Sequence, residues 1–292
     1  MNNFLPIRLF SRATTSKPKD KSSRSSLWSW VWFILGALYF LLPLLATFDF
    51  SLSMERGIIG FKAYELAFAD NKFWQTFGYS VFLAVMTIIV SIVLIVPTAY
   101  WIRLRLPQAR RIVEFITLLP FVVPAIILVF GLIRVYSAPL NIPFTQITLI
   151  QPLTNYKFGT NLLIVGGYMV LGLPYMYRSV DTGMRTVDVR TLTEAAQSLG
   201  ANWYTIIVRV ILPNVRTALL SGALLTFAIV VGEVVLASFL GIQAFGPYLF
   251  LLGQHRAYEP AALTFTTFLL TWAAMGIIQL ISGGQGQVAG TH

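Results

Sequence analysis

Cysteine is absent from the 292-residue sequence, which excludes disulfides, thiolate metal sites and a cysteine nucleophile. Histidine occurs at only two positions, His255 and His292. Neither lies near a second histidine or a carboxylate pair at ligand spacing, so no metal site is expected. Charge is scarce too, at 11% of residues, where soluble domains carry about a quarter. None of the lysines (17, 19, 21, 62, 72 and 157) follows a glycine. The phosphate loop G-x-x-x-x-G-K-[ST] is therefore missing, and the chain cannot hydrolyse ATP by itself. H-E-x-x-H, G-x-S-x-G and paired carboxylates within apolar runs are missing as well. No catalytic residue and no cofactor is expected.

What fills the sequence instead is apolar. Hydrophobic residues make up 57%, and mean hydropathy is +0.74. Six long runs with few or no charges can be read, at approximately 27–48, 74–102, 115–133, 158–177, 217–241 and 260–282. About 20 residues at roughly 1.5 Å each cross a hydrocarbon core of about 30 Å. Each run is long enough, and the second is long enough to tilt. The reading is an all-α, polytopic membrane protein of six transmembrane helices.

A net charge of +10 resembles a nucleic-acid signature until the cations are placed on this topology. Alternate segments then carry 15 Lys and Arg against six. The positive-inside rule puts both termini, and the segment between the fourth and fifth runs, in the cytosol. The charge is an insertion signal, and no nucleic-acid partner is expected.

Along the chain, residues 1–26 read as a basic, Ser-rich cytosolic tail beside anionic headgroups. An organellar transit peptide has a similar composition. Residues 27–282 form the membrane domain, and 283–292 a flexible tail. Trp28, Trp30 and Trp32 suit an interfacial aromatic belt. The outer segments 49–73 and 242–259 carry no chemical motif and read as loops. Pro97, Pro120 and Pro124 each remove a helical hydrogen bond and should bend their spans. Gly166, Gly167, Gly172 and Pro174 suggest close helix approach.

Glu233 is the one ionisable residue deep in a run, and mid-bilayer charge normally faces the bundle interior or water. It either lines a solute pathway or bonds a neighbouring helix. Ser238, Pro120 and Pro124 are further pathway candidates. Ser221 and Thr226 are polar too, but such side chains often bond their own helix carbonyls.

The polar stretch Thr191–Pro213 stands apart. Thr191 and Glu194 have capping-box spacing. Leu192, Ala195, Ala196 and Leu199 then follow at helical spacing as one mostly small apolar face. Gly200 suits a left-handed helix end. Asn202 can cap a second helix, Trp203–Leu212, which Pro213 closes. Two short helices would thus form a knob, the loop as a whole covering 186–213.

Glu194-Ala195-Ala196, then Gly200, then Leu212-Pro213 resemble the EAA loop of the membrane subunits of bacterial ABC importers. That pattern reads EAA, three residues, Gly, nine residues, Ile, any residue, Leu-Pro. Val210 stands where Ile is usual, and Thr217 where a second proline is common. The proline-marked spans resemble the same family, and the fifth run is similar to that of polyamine and related small-solute importers. The resemblance implies a type I importer permease fold, N-in and C-in, in a bacterial inner membrane. It implies a non-catalytic subunit forming half of a translocation pathway, with polyamine-like cargo favoured. The implied partners are two cytosolic ABC ATPase subunits, a second permease (identical or homologous) and an extracytoplasmic solute-binding protein. Glu194, Ala195, Ala196, Leu199, Gly200, Leu212 and Pro213 would couple to the ATPase. A rival reading is an ion-coupled secondary carrier, but such carriers usually place several ionisable residues in their spans.

Overall fold

A computed structural model describes residues 22–55, 58–138, 140–141, 148–150 and 153–283. Both expected tails fall largely outside these residues, although helix already starts at Ser22. The helices are α1 (Ser22–Leu52), α2 (Lys62–Ala69), α3 (Asn71–Leu104), α4 (Arg110–Val122), α5 (Ala125–Tyr136) and α6 (Lys157–Arg185). Next come α7 (Val189–Ser198), α8 (Trp203–Thr205), α9 (Leu212–Asn214), α10 (Arg216–Gly232), α11 (Val235–Phe239), α12 (Phe245–His255) and α13 (Tyr258–Gly283). A π-helical stretch, Ile206–Ile211, joins α8 to α9. Between α5 and α6, the short strands β1 (Leu140–Asn141) and β2 (Thr148–Ile150) pair antiparallel, Leu140 opposite Ile150 and Asn141 opposite Thr148.

The chain divides into two units, Met1–Ala46 and Thr47–His292. In the first, Trp28 and Trp32 meet edge to face at 5.9 Å on α1, as do Trp30 and Phe33 at 5.7 Å. The second holds two buried apolar clusters. One surrounds the N-terminal half of α3 and includes Leu83, Ile164, Tyr168, Val230, Leu236 and Phe245. The other surrounds its C-terminal half and includes Val96, Tyr100, Met176, Met184, Ile206 and Ile211.

Among the described residues, α1, α3 and α6 are unbroken helices long and apolar enough to cross a bilayer. Two bent pairs would raise that number to five: residues 107–136 turn by 102° at their break, and 203–232 by 80°. The bend expected at Pro124 is present and divides the third run, while the fifth run holds a break where one continuous helix was expected. The third run is two helices, because Pro124 cannot donate to the helix before it and starts α5 as its N-cap. The fifth run ends α10 at Gly232 and resumes at Val235. The sixth run is helical within α13. Proline need not break a span, however: Pro97 sits inside α3, which continues through it.

The expected outer loops are also partly helical. Residues 49–73 hold the end of α1 and all of α2, while 242–259 hold α12. This last helix is tied down by polar bonds across large sequence distances. The Phe245 N–H donates to buried Ser80 Oγ at 2.8 Å, and Tyr248 Oη to Asp70 Oδ2 at 2.9 Å. Asp70 also caps α3 by accepting the Lys72 N–H.

The α6–α10 pair carries much of the second cluster, and its approach depends on absent side chains. A Cβ on Gly222 would lie 2.9 Å from Ser179 Cβ, and one on Gly172 would lie 2.9 Å from Thr226 Cγ2. Gly167 likewise abuts Leu236, whereas Gly166 faces open space. Only the second of the paired glycines therefore serves close packing. Gly222→Val should lower stability by about 1–3 kcal/mol through overpacking, read as a reduced unfolding midpoint in detergent. Gly166→Ala should not lower that midpoint.

Candidate coupling hairpin and helix break

The segment 186–213 folds as a helical hairpin, but α7 starts earlier than the Thr191–Glu194 capping box suggested. Asp188 is the cap: its carboxylate accepts from the Thr191 N–H at 3.2 Å and from Thr191 Oγ1 at 2.7 Å. These bonds hold the Asp188 carboxyl below the ordinary aspartate range. Glu194 instead pairs with Arg190 one turn away at 2.9 Å. An ionised carboxylate directly before the helix is a strong cap, and it leaves Glu194 turned outward.

The expected single apolar face is split in two. Val189, Thr193 and Ala196 point inward and are buried, at i, i+4 and i+7. Thr193 Oγ1 lies 3.3 Å from Tyr100 Oη, which ties α7 to the end of α3. Glu194 and Ala195 face outward with Leu199, which is 89% exposed. Gly200 has φ +82°. Its N–H donates to Gln197 O at 2.9 Å, and the Ala201 N–H to Ala196 O at 3.0 Å. This bond pair is a Schellman ending, which favours glycine at the left-handed position.

Asn202 then caps α8, accepting the Thr205 N–H at 2.8 Å. The expected second helix runs beyond Leu212 to Asn214, so Pro213 lies inside the helical run. Proline has no N–H to offer the carbonyl four residues back. The wider π turns end just before this last turn, with the Leu212 N–H reaching Ile207 O. Leu212 is half-buried and Pro213 exposed. Ile206, Ile207 and Ile211 are buried in the same cluster as Ala196.

The pathway candidates are placed differently. The Glu233 carboxylate caps α11, accepting from the backbone N–H groups of Val235 (2.7 Å), Leu236 (2.9 Å) and Ala237 (3.3 Å). Tyr168 is fully buried beside it. Gly246 packs on the Glu233 carbonyl, where a Cβ would collide. Ser238 is exposed past the break, Pro120 lies inside α4 and Pro124 at the α4–α5 bend. A cavity of about 660 Å³ between α4, α6 and α10 is lined by other residues, including Phe121, Tyr175, Tyr177 and Ser221. Ser221 and Thr226 bond their own helix carbonyls, at Thr217 and Gly222.

Beside that cavity lies a network the sequence reading passed over. Asp181 meets Arg185 at 2.6 Å and Arg110 at 3.2 Å. Glu114 meets Arg110 at 2.9 Å and Arg185 at 3.3 Å. The pairs Arg110–Glu114 and Asp181–Arg185 are both four apart, a signal visible in the sequence. Counting arginines only as insertion charges hid it.

This arrangement has relatives. Residues 107–283 match the family described as binding-protein-dependent transport system inner membrane component. The chain belongs to this family. As a permease component of an ABC importer, it is a non-catalytic membrane subunit. It is 27% identical over 240 residues to the spermidine/putrescine transport system permease protein PotB homolog of Mycoplasma genitalium, covering 78% of this chain and 80% of that one. It is 30% identical over 145 residues to the methionine import system permease protein MetP of Bacillus subtilis, covering 48% and 64%. A crystal structure of a bacterial ABC transporter involved in import of the acidic polysaccharide alginate shares the fold. There the TM-score is 0.58 at 20% identity, covering 96% of this permease and 100% of that chain.

Because only glycine adopts the Gly200 conformation cheaply, Gly200→Ala should cost about 1–2 kcal/mol of local stability, seen as faster amide exchange across 195–201. The Asp188 cap has a lowered pKa, so its contribution is complete above the ordinary aspartate pKa of about 3.9. It is lost only as pH falls through the depressed value. Exchange of the Thr191 amide, corrected for intrinsic rate, should therefore be level from neutral to mildly acidic pH and rise in stronger acid. Asp188→Ala should remove that dependence.

Proposed function

We propose that the hairpin 186–213 is the cytosolic surface through which a separate ATP-hydrolysing subunit drives this permease. The observation that carries the reading is the division of α7 into an inward and an outward face. Val189, Thr193 and Ala196 seat it on the bundle, while Glu194, Ala195 and Leu199 remain available to a partner. The small Ala195 permits close docking, and Leu199 supplies an apolar anchor. Gly200 sets the angle at which the second helix leaves. Through Ile206, Ile207 and Ile211, displacement of α7 reaches α3, α6 and α10 together. Closure of two ATPases would pull two such hairpins together and switch the paired permeases between inward-open and outward-open states.

On this reading the permease sits in a bacterial inner membrane with both termini in the cytosol. It works with two ATPase subunits, a second permease and an extracytoplasmic solute-binding protein. A small, polyamine-like solute is favoured by the relatives named for spermidine and putrescine. Glu233, Ser238, Pro120 and Pro124 shape the moving part of the pathway, Glu233 by holding the α10–α11 break rather than by offering a free charge.

The absence of cysteine makes sidedness simple to measure. Ser198→Cys in intact cells should resist an impermeant thiol reagent and react after permeabilisation; labelling from outside would refute the topology. Gly200→Asp and Glu194→Lys should leave the chain inserted at wild-type levels yet abolish ATP-coupled uptake. Wild-type uptake by either variant would remove the coupling assignment.

A further inference from the structure

Between the C-terminal end of α3 and the start of α7 lies a cavity of about 870 Å³, with Glu194 in its wall and cations at the end of α3 that the coupling reading does not use. Its charges do not cancel. Of its acidic side chains, Glu194 is paired with Arg190, while Asp188 accepts from the neutral Thr191 and keeps its charge. Arg185 is shared between Asp181 and Glu114. Against the one carboxylate of Asp188 stand two cations at the C-terminal end of α3. Arg103 comes no nearer to a carboxylate than 4.0 Å, at Asp181, and Arg105 has no carboxylate partner among the described residues. Both follow directly on the apolar length of α3, where a bilayer's headgroups would begin. Trp101 and Trp203, exposed amphipathic rings of the kind found at that depth, stand in the same wall.

We propose that this cavity binds the phosphate of an anionic phospholipid headgroup, held by Arg103 and Arg105 and flanked by the two tryptophans. Basic pockets between helices on the cytoplasmic side commonly take such headgroups. The inference rests on the proposed topology only in assigning the inner leaflet. A headgroup here would sit on Arg103 and Arg105 between the end of α3 and the start of α7, so lipid composition would bear on the same hairpin that receives the ATPase.

The test uses the full chain in nanodiscs of equal parts phosphatidylglycerol and phosphatidylcholine, extracted gently and weighed by native mass spectrometry. Wild type should retain phosphatidylglycerol selectively. Arg105→Gln should retain about fivefold less, corresponding to roughly 1 kcal/mol per arginine, and Arg105→Lys should recover most of it. Arg111→Gln, an exposed arginine outside the cavity, should match wild type. Unchanged unfolding midpoints would confirm that each variant is folded. Equal retention by Arg105→Gln and wild type would overturn the proposal. So would equal loss in Arg111→Gln, or displacement of the lipid by millimolar inorganic phosphate, which would make the ligand a soluble anion. If Arg105→Gln kept its lipid but lost a co-purifying ATPase, the cavity would belong to that protein contact and the lipid site would be refuted. Lipid retention does not depend on sidedness, so this result and the Ser198→Cys labelling fail independently.

Discussion

The attachment of α7 to the bundle is the constraint on which the rest depends. A short, polar helix has little stability of its own, and α7 persists because three side chains at i, i+4 and i+7 enter the second apolar cluster. Its two ends are closed by different chemistry. Asp188 satisfies amide hydrogens at one end, and the left-handed Gly200 satisfies carbonyls at the other. With both ends closed and one face seated, the opposite face is presented rigidly. The same cluster includes residues of α3, α6 and α10, so the hairpin cannot shift without disturbing all three. A mechanical link of the kind proposed needs this property, and burial of one face of α7 supplies it.

The breaks in the bundle have a comparable logic. Where α10 stops, three backbone N–H groups would face an apolar interior with no acceptor, a cost of several kcal/mol each in lipid. Glu233 meets them all with one carboxylate. Its presence in an apolar run is thus explained by local backbone need. The break at Pro124 follows from the missing proline N–H. At Pro124 the chain turns by 102°.

Much of this was legible in the residues, and the failures are instructive. Hydropathy located every long helix, because apolar length is a property of composition. It could not reveal the bends, since a window average is blind to which amides lack partners. Gly200 was readable because few residues take its backbone angles. The helix start was misplaced by three residues because two caps, Thr191 and Asp188, competed, and the carboxylate won. Leu192, Ala195, Ala196 and Leu199 looked like one face because they share helical spacing, yet burial depends on what lies opposite. Helix α12 was read as a loop because its anchors, Ser80 and Asp70, lie more than 160 residues away in sequence. The ionic network of Glu114 and Asp181 has its two i,i+4 pairs in plain view, but the link between α4 and α6 that joins them is not a sequence signal.

The central claim is that the outward face of α7 is a contact for a motor the chain does not contain. Amide hydrogen exchange across residues 189–201, compared for the permease alone and bound to its co-purifying ATPase, measures that contact directly. The account predicts markedly slower exchange in this segment on binding, with α12 unaffected. Unchanged exchange in α7, with protection appearing elsewhere, would contradict it.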